Sequence, residues 1–133
     1  MKKNKIKILV IEDEVDLLDE LASLLRYENY EVLEAPDGNS GINLATEHKP
    51  ALILCDIIMP GINGYDVLKK LRENPESSTI PFIFITALAE WNSLRQGMEL
   101  GADDYIVKPF SRDTLLKAIK TRLNKANKSQ QEI

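Results

Sequence analysis

Only one cysteine, Cys55, occurs among the 133 residues. No disulfide can therefore form within the chain, and a reducing compartment, the cytoplasm, is the expected setting. No apolar run approaches the roughly 20 residues that a membrane helix needs. The opening Met1-Lys2-Lys3-Asn4-Lys5 is basic, but it leads into a short strand-like run and then acids, without the apolar stretch of a signal peptide. Nor is there an excess of basic charge. The net charge is −4 and the isoelectric point is near 5.1, whereas nucleic-acid domains usually carry a basic face, so direct DNA or RNA binding is not expected. Internal repeats and low-complexity segments are absent as well.

What is present is the composition of an ordinary globular domain, 44% apolar and 29% charged. The length suits one domain, and such a chain buries roughly two thirds of its unfolded surface, enough for a core without staples. Ile8–Ile11, Ala51–Cys55 and Phe82–Ile85 are continuous apolar runs of strand length. Tyr105–Val107 is shorter, and Val32–Ala35 is interrupted by Glu34. Continuous runs suggest strands buried on both faces, as in a parallel sheet. Between them lie apolar residues at helical spacing: Leu17, Leu18, Leu21, Leu24 and Leu25; Ile42 and Ala45; Val67, Leu68 and Leu71; Leu94 and Met98; Leu115, Leu116, Ile119 and Leu123. Asp37 and Ser111 are placed to cap the second and fifth helices, Pro50, Asn74-Pro75 and Gly101 to end the second, third and fourth, and Gly64 to lead into the third. Five strand–helix units follow, a parallel sheet with helices on both faces and right-handed crossovers. One domain is expected over residues 1–123. Residues 124–133 lose apolar density and read as a polar helical tail or the start of a linker, so that the chain is expected to be either self-standing or the front of a longer protein.

In open α/β sheets ligands bind beyond the carboxyl ends of the strands. Glu12 and Asp13 follow the first strand, Asp56 the third and Lys108-Pro109 the fifth, and Thr86 ends the fourth. Three carboxylates held together raise one another's pKa values unless a cation joins them. An incomplete set of hard oxygen ligands suits Mg²⁺, which keeps waters and takes up phosphate oxygens. A carboxylate beside such a cation and the Lys108 ammonium is a nucleophile toward phosphorus that needs no general base, and Thr86 can donate to a phosphoryl oxygen.

Four segments, Ile8-Leu9-Val10-Ile11-Glu12-Asp13-Glu14, Leu54-Cys55-Asp56-Ile57-Ile58-Met59-Pro60-Gly61-Ile62-Asn63-Gly64, Phe84-Ile85-Thr86-Ala87 and Gly101-Ala102-Asp103-Asp104-Tyr105-Ile106-Val107-Lys108-Pro109-Phe110, resemble the response-regulator receiver family in order and spacing, from about Lys5 to Leu123. The resemblance implies a flavodoxin-like three-layer sandwich, its five parallel strands in the order 2-1-3-4-5. It implies that Asp56 accepts a phosphoryl group from a sensor histidine kinase or a phosphotransfer protein. Glu12, Asp13, Asp56 and the carbonyl of Ile58 would organise Mg²⁺, with Mn²⁺ as a substitute. Thr86 and Tyr105 would be the switch pair, Lys108 would contact the phosphoryl group, and the Lys108–Pro109 bond would be cis. The output domain or partner would be reached through the face of the fourth helix, fifth strand and fifth helix. Such a domain turns over only its own phosphoryl group and is not an enzyme toward other substrates.

Plainer roles stand beside these. Glu12-Asp13 could cap the first helix, Asp56 could be a turn residue, Tyr105 a half-buried strand aromatic and Cys55 a small core residue. Trp91 suits a bare surface aromatic or part of a partner face, and His48 a helix-end surface residue. Rival functions are a phosphohydrolase with an aspartate nucleophile, a receiver-like module without phosphorylation, and a flavodoxin-like cofactor binder. The first wants an acid two residues after Asp56, where Ile58 stands; the last wants Ser, Thr or Gly where Glu12-Asp13-Glu14 stands. In winged-helix regulators of the family, charged pairs join two copies, and their usual arginine falls here at Ala118. Leu116, Ile119, Leu123, Ala126 and Ile133, with Gln130 in the gap, keep a heptad spacing that suits either a core stripe or a helix pairing two chains.

Overall fold

A computed structural model of the protein describes residues 5–87 and 91–131, with side chains to Ala126 except that of Trp91. The side chains of Trp91 and Gln130, and Ile133 altogether, lie outside the described residues. The elements run β1 (Lys7–Ile11), α1 (Val15–Tyr27), β2 (Glu31–Ala35), α2 (Gly38–His48), β3 (Leu52–Cys55), α3 (Gly64–Glu73), β4 (Phe82–Thr86), α4 (Trp91–Glu99), β5 (Asp104–Val107) and α5 (Arg112–Gln131). The five strands form one parallel sheet in the order β2-β1-β3-β4-β5, as the resemblance implied.

The two faces of the sheet alternate along each strand. Ile8, Val10, Leu52, Leu54, Ile83, Ile85 and Ile106 pack with Leu18, Leu21 and Leu25 of α1 and Leu115, Ile119 and Leu123 of α5. Leu9, Ile11, Ile53, Cys55, Phe82 and Phe84 pack with Ala45 of α2 and Val67, Leu68 and Leu71 of α3. All the residues of β3 and β4 are buried, which is why those runs carry no polar alternation. Leu116, Ile119 and Leu123 belong to the first of these cores, so this stretch of the heptad stripe is consumed by the domain itself.

Local chemistry sets the helix ends. The Asp37 carboxylate accepts from Ser40 N at 2.8 Å, and Ser111 Oγ accepts from Thr114 N at 3.1 Å. Asn63 and Asp66 close a reciprocal capping box on α3. Gly101, at φ +104°, ends α4 in a conformation that side chains resist. α4 departs from its expected pattern. Leu94 is half-buried and Met98 is 43% exposed, while Gly97 is the residue buried against the sheet, because only a missing side chain lets the helix lie on the Phe84 ring.

Arg72, not singled out by sequence, ties the far end of this layer together. Its guanidinium donates to Ile80 O at 2.8 Å and Gly101 O at 2.9 Å, and it lies 3.4 Å from the Asp103 carboxylate, which in turn accepts from Phe82 N at 2.7 Å.

Gly64 fixes the start of α3 to the end of β3. Its N–H donates to Ile57 O at 2.8 Å, and a Cβ there would run into the Asp56 carbonyl oxygen, a backbone atom that cannot turn aside. Gly64→Ala is expected to destabilise the domain by about 1–3 kcal/mol, the usual cost of overpacking, as measured by urea unfolding. An unchanged midpoint would show that the loop yields.

Candidate functional site

The parallel ladder delivers the candidate residues to one edge. Backbone bonds continue one residue past the strands: Glu12 N donates to Ala35 O at 3.0 Å, Asp56 N to Ile11 O at 3.1 Å and Lys108 N to Thr86 O at 2.8 Å. Each of these site residues thus starts from a backbone held in register by its neighbour strand.

Carboxylate oxygens of Glu12, Asp13 and Asp56 all lie within 4.8 Å of one another. Glu12 is 2% exposed and Asp56 8% exposed, a degree of burial that charged groups accept only with partners. Lys108 supplies one. Its Nζ donates to Glu12 Oε1 and to Asp56 Oδ2, each at 2.9 Å. The other oxygens are held by backbone amides, Asp56 Oδ1 by Ile57 N at 2.7 Å and Glu12 Oε2 by Glu14 N at 3.1 Å. The Lys108–Pro109 peptide is cis.

Three carboxylates face one ammonium, so negative charge is left over. Burial holds Glu12 above its usual carboxylate value, against the lowering pull of its bond from Lys108. Burial by itself would lower Lys108, but its hydrogen bonds to Asp56 and Glu12 and the charges of both outweigh that, and it stays protonated above its usual range. Burial, then the charges of Asp56 and Glu12, push the Cys55 thiol well up, which leaves it a core residue without thiolate chemistry. The donor set is all hard oxygen and under-compensated in charge, and it fits a small divalent cation.

Thr86 is fully buried at the end of β4 and pairs with Val107 in the ladder. Tyr105 pairs with Phe84, two residues back on the same face, and is 37% exposed. Ile58 follows on the loop after β3 with its side chain 60% exposed. The plain capping role for Glu12-Asp13 is not what is seen, since α1 starts after Glu14 without a side-chain cap and Glu12 turns to Lys108. Two contributors were missed by sequence. The Ile57 amide that grips Asp56 has no signature, because any residue but proline supplies an N–H. Gly64 was read as a helix start, and its contact with Asp56 needs the fold to be known.

The family model for the response regulator receiver domain matches residues 8–120. The probable transcriptional regulator ycf27 of Galdieria sulphuraria is 41% identical over 126 residues, which cover 95% of this chain and 48% of that protein. The chain spans about half the length of the ycf27 relatives it matches. The protein PilH of Pseudomonas aeruginosa is 36% identical over 113 residues, 85% of this chain and 93% of that protein. The receiver domain of a sensor histidine kinase from Pseudomonas aeruginosa PAO1, crystallised with a magnesium ion coordinated in its active-site cleft, superposes with a TM-score of 0.85 at 26% identity, covering 92% of this chain and 99% of that one.

Lys108→Met removes an ammonium bonded to two buried carboxylates. Without added metal it is expected to destabilise the fold at pH 7 by about 1–3 kcal/mol, below the full penalty for breaking a buried pair because Lys108 keeps some solvent. The signs follow from the two raised pKa values. The ammonium's contribution is complete below the ordinary lysine value of 10.5 and is lost as pH rises through its higher folded value. The cost of burying ionised Glu12 is present above its raised folded value and fades as pH falls toward the ordinary 4.5. The penalty of the variant should therefore shrink in acid, and also on adding Mg²⁺ at pH 7. Thermal melts across pH, with and without the metal, provide the check.

Proposed function

The chain belongs to the response-regulator receiver family, and on that premise we propose that Asp56 is its phosphoacceptor, phosphorylated by a sensor histidine kinase or a phosphotransfer protein in a Mg²⁺-dependent reaction. The observation that carries this reading is the convergence of Lys108 and Glu12 on the Asp56 carboxylate from three different strand ends. Asp56 is buried and has one oxygen gripped by the Ile57 amide and the other by the lysine, and a carboxylate is a nucleophile toward phosphorus that needs no general base. Its carboxylate oxygen forms the new O–P bond as the P–N bond of the donor phosphohistidine breaks and the imidazole takes a proton. Glu12, Asp13, Asp56 and the Ile58 carbonyl are the groups to hold the metal, with Mn²⁺ as a substitute. Mg²⁺, when bound, supplies neutralising charge to the transferring phosphoryl group. Lys108 supplies the rest, and Thr86 donates its hydroxyl to a phosphoryl oxygen. The magnesium-bearing receiver domain from Pseudomonas aeruginosa supports the metal assignment.

The phosphoryl group is the signal, not an intermediate toward another product; the chain turns over its own phosphate and no external substrate. Thr86 drawn toward the new dianion leaves room on its sheet face, and Tyr105, exposed two ladder positions away, rotates into it. The surface so altered is made of α4, β5 and α5, through which an output domain or partner protein is engaged and through which two copies can pair. Residues 1–123 act as the receiver, and 124–133 as the tail that leads away from it; the relatives of twice the length support an output module beyond. No helix among the described residues is long and apolar enough to cross a membrane, and work in the cytoplasm fits a chain whose single cysteine is free and buried.

Incubation with acetyl phosphate and Mg²⁺, followed by intact mass, should show one phosphoryl group on the wild type and none on Asp56→Asn. Labelling of Asp56→Asn at the wild-type rate would place the nucleophile elsewhere. Asp13→Ala should lose metal binding and labelling together. Lys108→Ala should keep metal binding and lose most of the response, a split that metal titration and mass spectrometry read separately.

A further inference from the structure

α4 is held at its carboxyl end by Arg72, which donates to Gly101 O, and along its length by two further contacts. Among its described residues Gly97 alone is fully buried, and it rests on the Phe84 ring. The second attachment is polar. The Tyr65 hydroxyl, from the first turn of α3, donates to Ser93 O in the first half of α4 at 2.8 Å. The Tyr65 ring meets Phe84 edge to face with centroids 5.6 Å apart, so hydroxyl, ring and Gly97 converge on one spot.

Tyr65 is also fixed to the phosphoacceptor. It follows Gly64, whose amide bonds Ile57 O and where a Cβ would meet the Asp56 carbonyl oxygen. α4 is therefore connected to the site by two routes. One is covalent, the residues 87–90 that lead from Thr86 to Trp91. The other runs from Asp56 through Gly64 and Tyr65 to Ser93. The second route would oppose any displacement of α4 that follows a change at Thr86.

We infer that Tyr65 is a positioning residue: its hydroxyl holds α4 in the arrangement of unmodified Asp56, and release of that bond is linked to occupancy of Asp56. The inference rests on the phosphoacceptor reading. A ligand shifts such an equilibrium only by its preference for one arrangement, so an interaction present in the unmodified arrangement alone weakens apparent binding at Asp56.

Tyr65→Phe keeps the ring on Phe84 and deletes the hydroxyl. Two measurements are made on the whole chain. Amide exchange without ligand should quicken in α4 from Ser93 to Glu99 and stay unchanged in α1 and α5. Beryllofluoride with Mg²⁺, titrated by calorimetry, should bind the variant roughly fivefold more tightly than the wild type, the ratio expected for loss of one ordinary hydrogen bond from the unmodified state. Gly97→Ala, whose Cβ would stand 2.7 Å from Phe84 Cε2, loosens α4 by a separate contact and should shift affinity in the same direction. Unchanged exchange in α4 overturns the tether. Faster exchange with unchanged affinity overturns its link to Asp56 and leaves Tyr65 a packing residue. A wild type that does not bind beryllofluoride overturns the phosphoacceptor reading and the link with it, while the exchange data still decide whether Tyr65 holds α4.

Discussion

The site depends on one ammonium. Lys108 Nζ sits 2.9 Å from oxygens of both Glu12 and Asp56, two carboxylates that come from different strands and are almost wholly out of solvent. Without it the ends of β1 and β3 would carry like charges face to face in a poorly screened environment. The lysine answers one of the three carboxylate charges, and the remainder, which includes Asp13 at the rim, suits a divalent cation. The same residue thus permits the apo fold and leaves the site short of neutral. A fully compensated cluster would attract a cation less.

Close backbone approach is the second constraint. Gly41 lies on the side chain of Ile11, Gly64 on the carbonyl of Asp56, and Gly97 on the ring of Phe84. Each glycine stands where a helix must come within touching distance of the sheet at or near its carboxyl edge. The helices of the α2–α3–α4 layer are thereby set by the strands that also bear the reactive groups, and the geometry of the edge passes directly into their placement.

Much of this was legible in the sequence. Continuous apolar runs identified β1, β3 and β4 because strands buried on both faces show no alternation, and Asp37, Gly64, Asn74-Pro75, Gly101 and Ser111 marked helix ends through chemistry that acts within a few residues. Glu12, Asp13, Asp56, Thr86 and Lys108 could be gathered because a parallel sheet sends every strand end to one side. The cis Lys108–Pro109 bond was implied by family resemblance alone. What periodicity misread was α4, where Leu94 and Met98 suggested the inner face and a glycine occupies it; a hydrophobic pattern cannot register the absence of a side chain. Arg72, Tyr65 and the Ile57 amide escaped for a related reason. Arg72 and Tyr65 bond backbone atoms far along the chain, and the Ile57 amide is a group that every residue but proline has, so none leaves a trace in residue type.

Arg72 gives α4 a fulcrum. By donating to Gly101 O it pins the carboxyl end of the helix to α3 and, through Asp103, to the first residue of β4. The opposite end, toward Trp91, is the one joined to Thr86. A nine-residue helix is about 13 Å long at 1.5 Å per residue, so a tilt of roughly 10° about Gly101 would carry its far end about 2 Å while leaving the pinned end in place. Such a tilt would displace the surface of α4 most beside Thr86 and least beside Gly101.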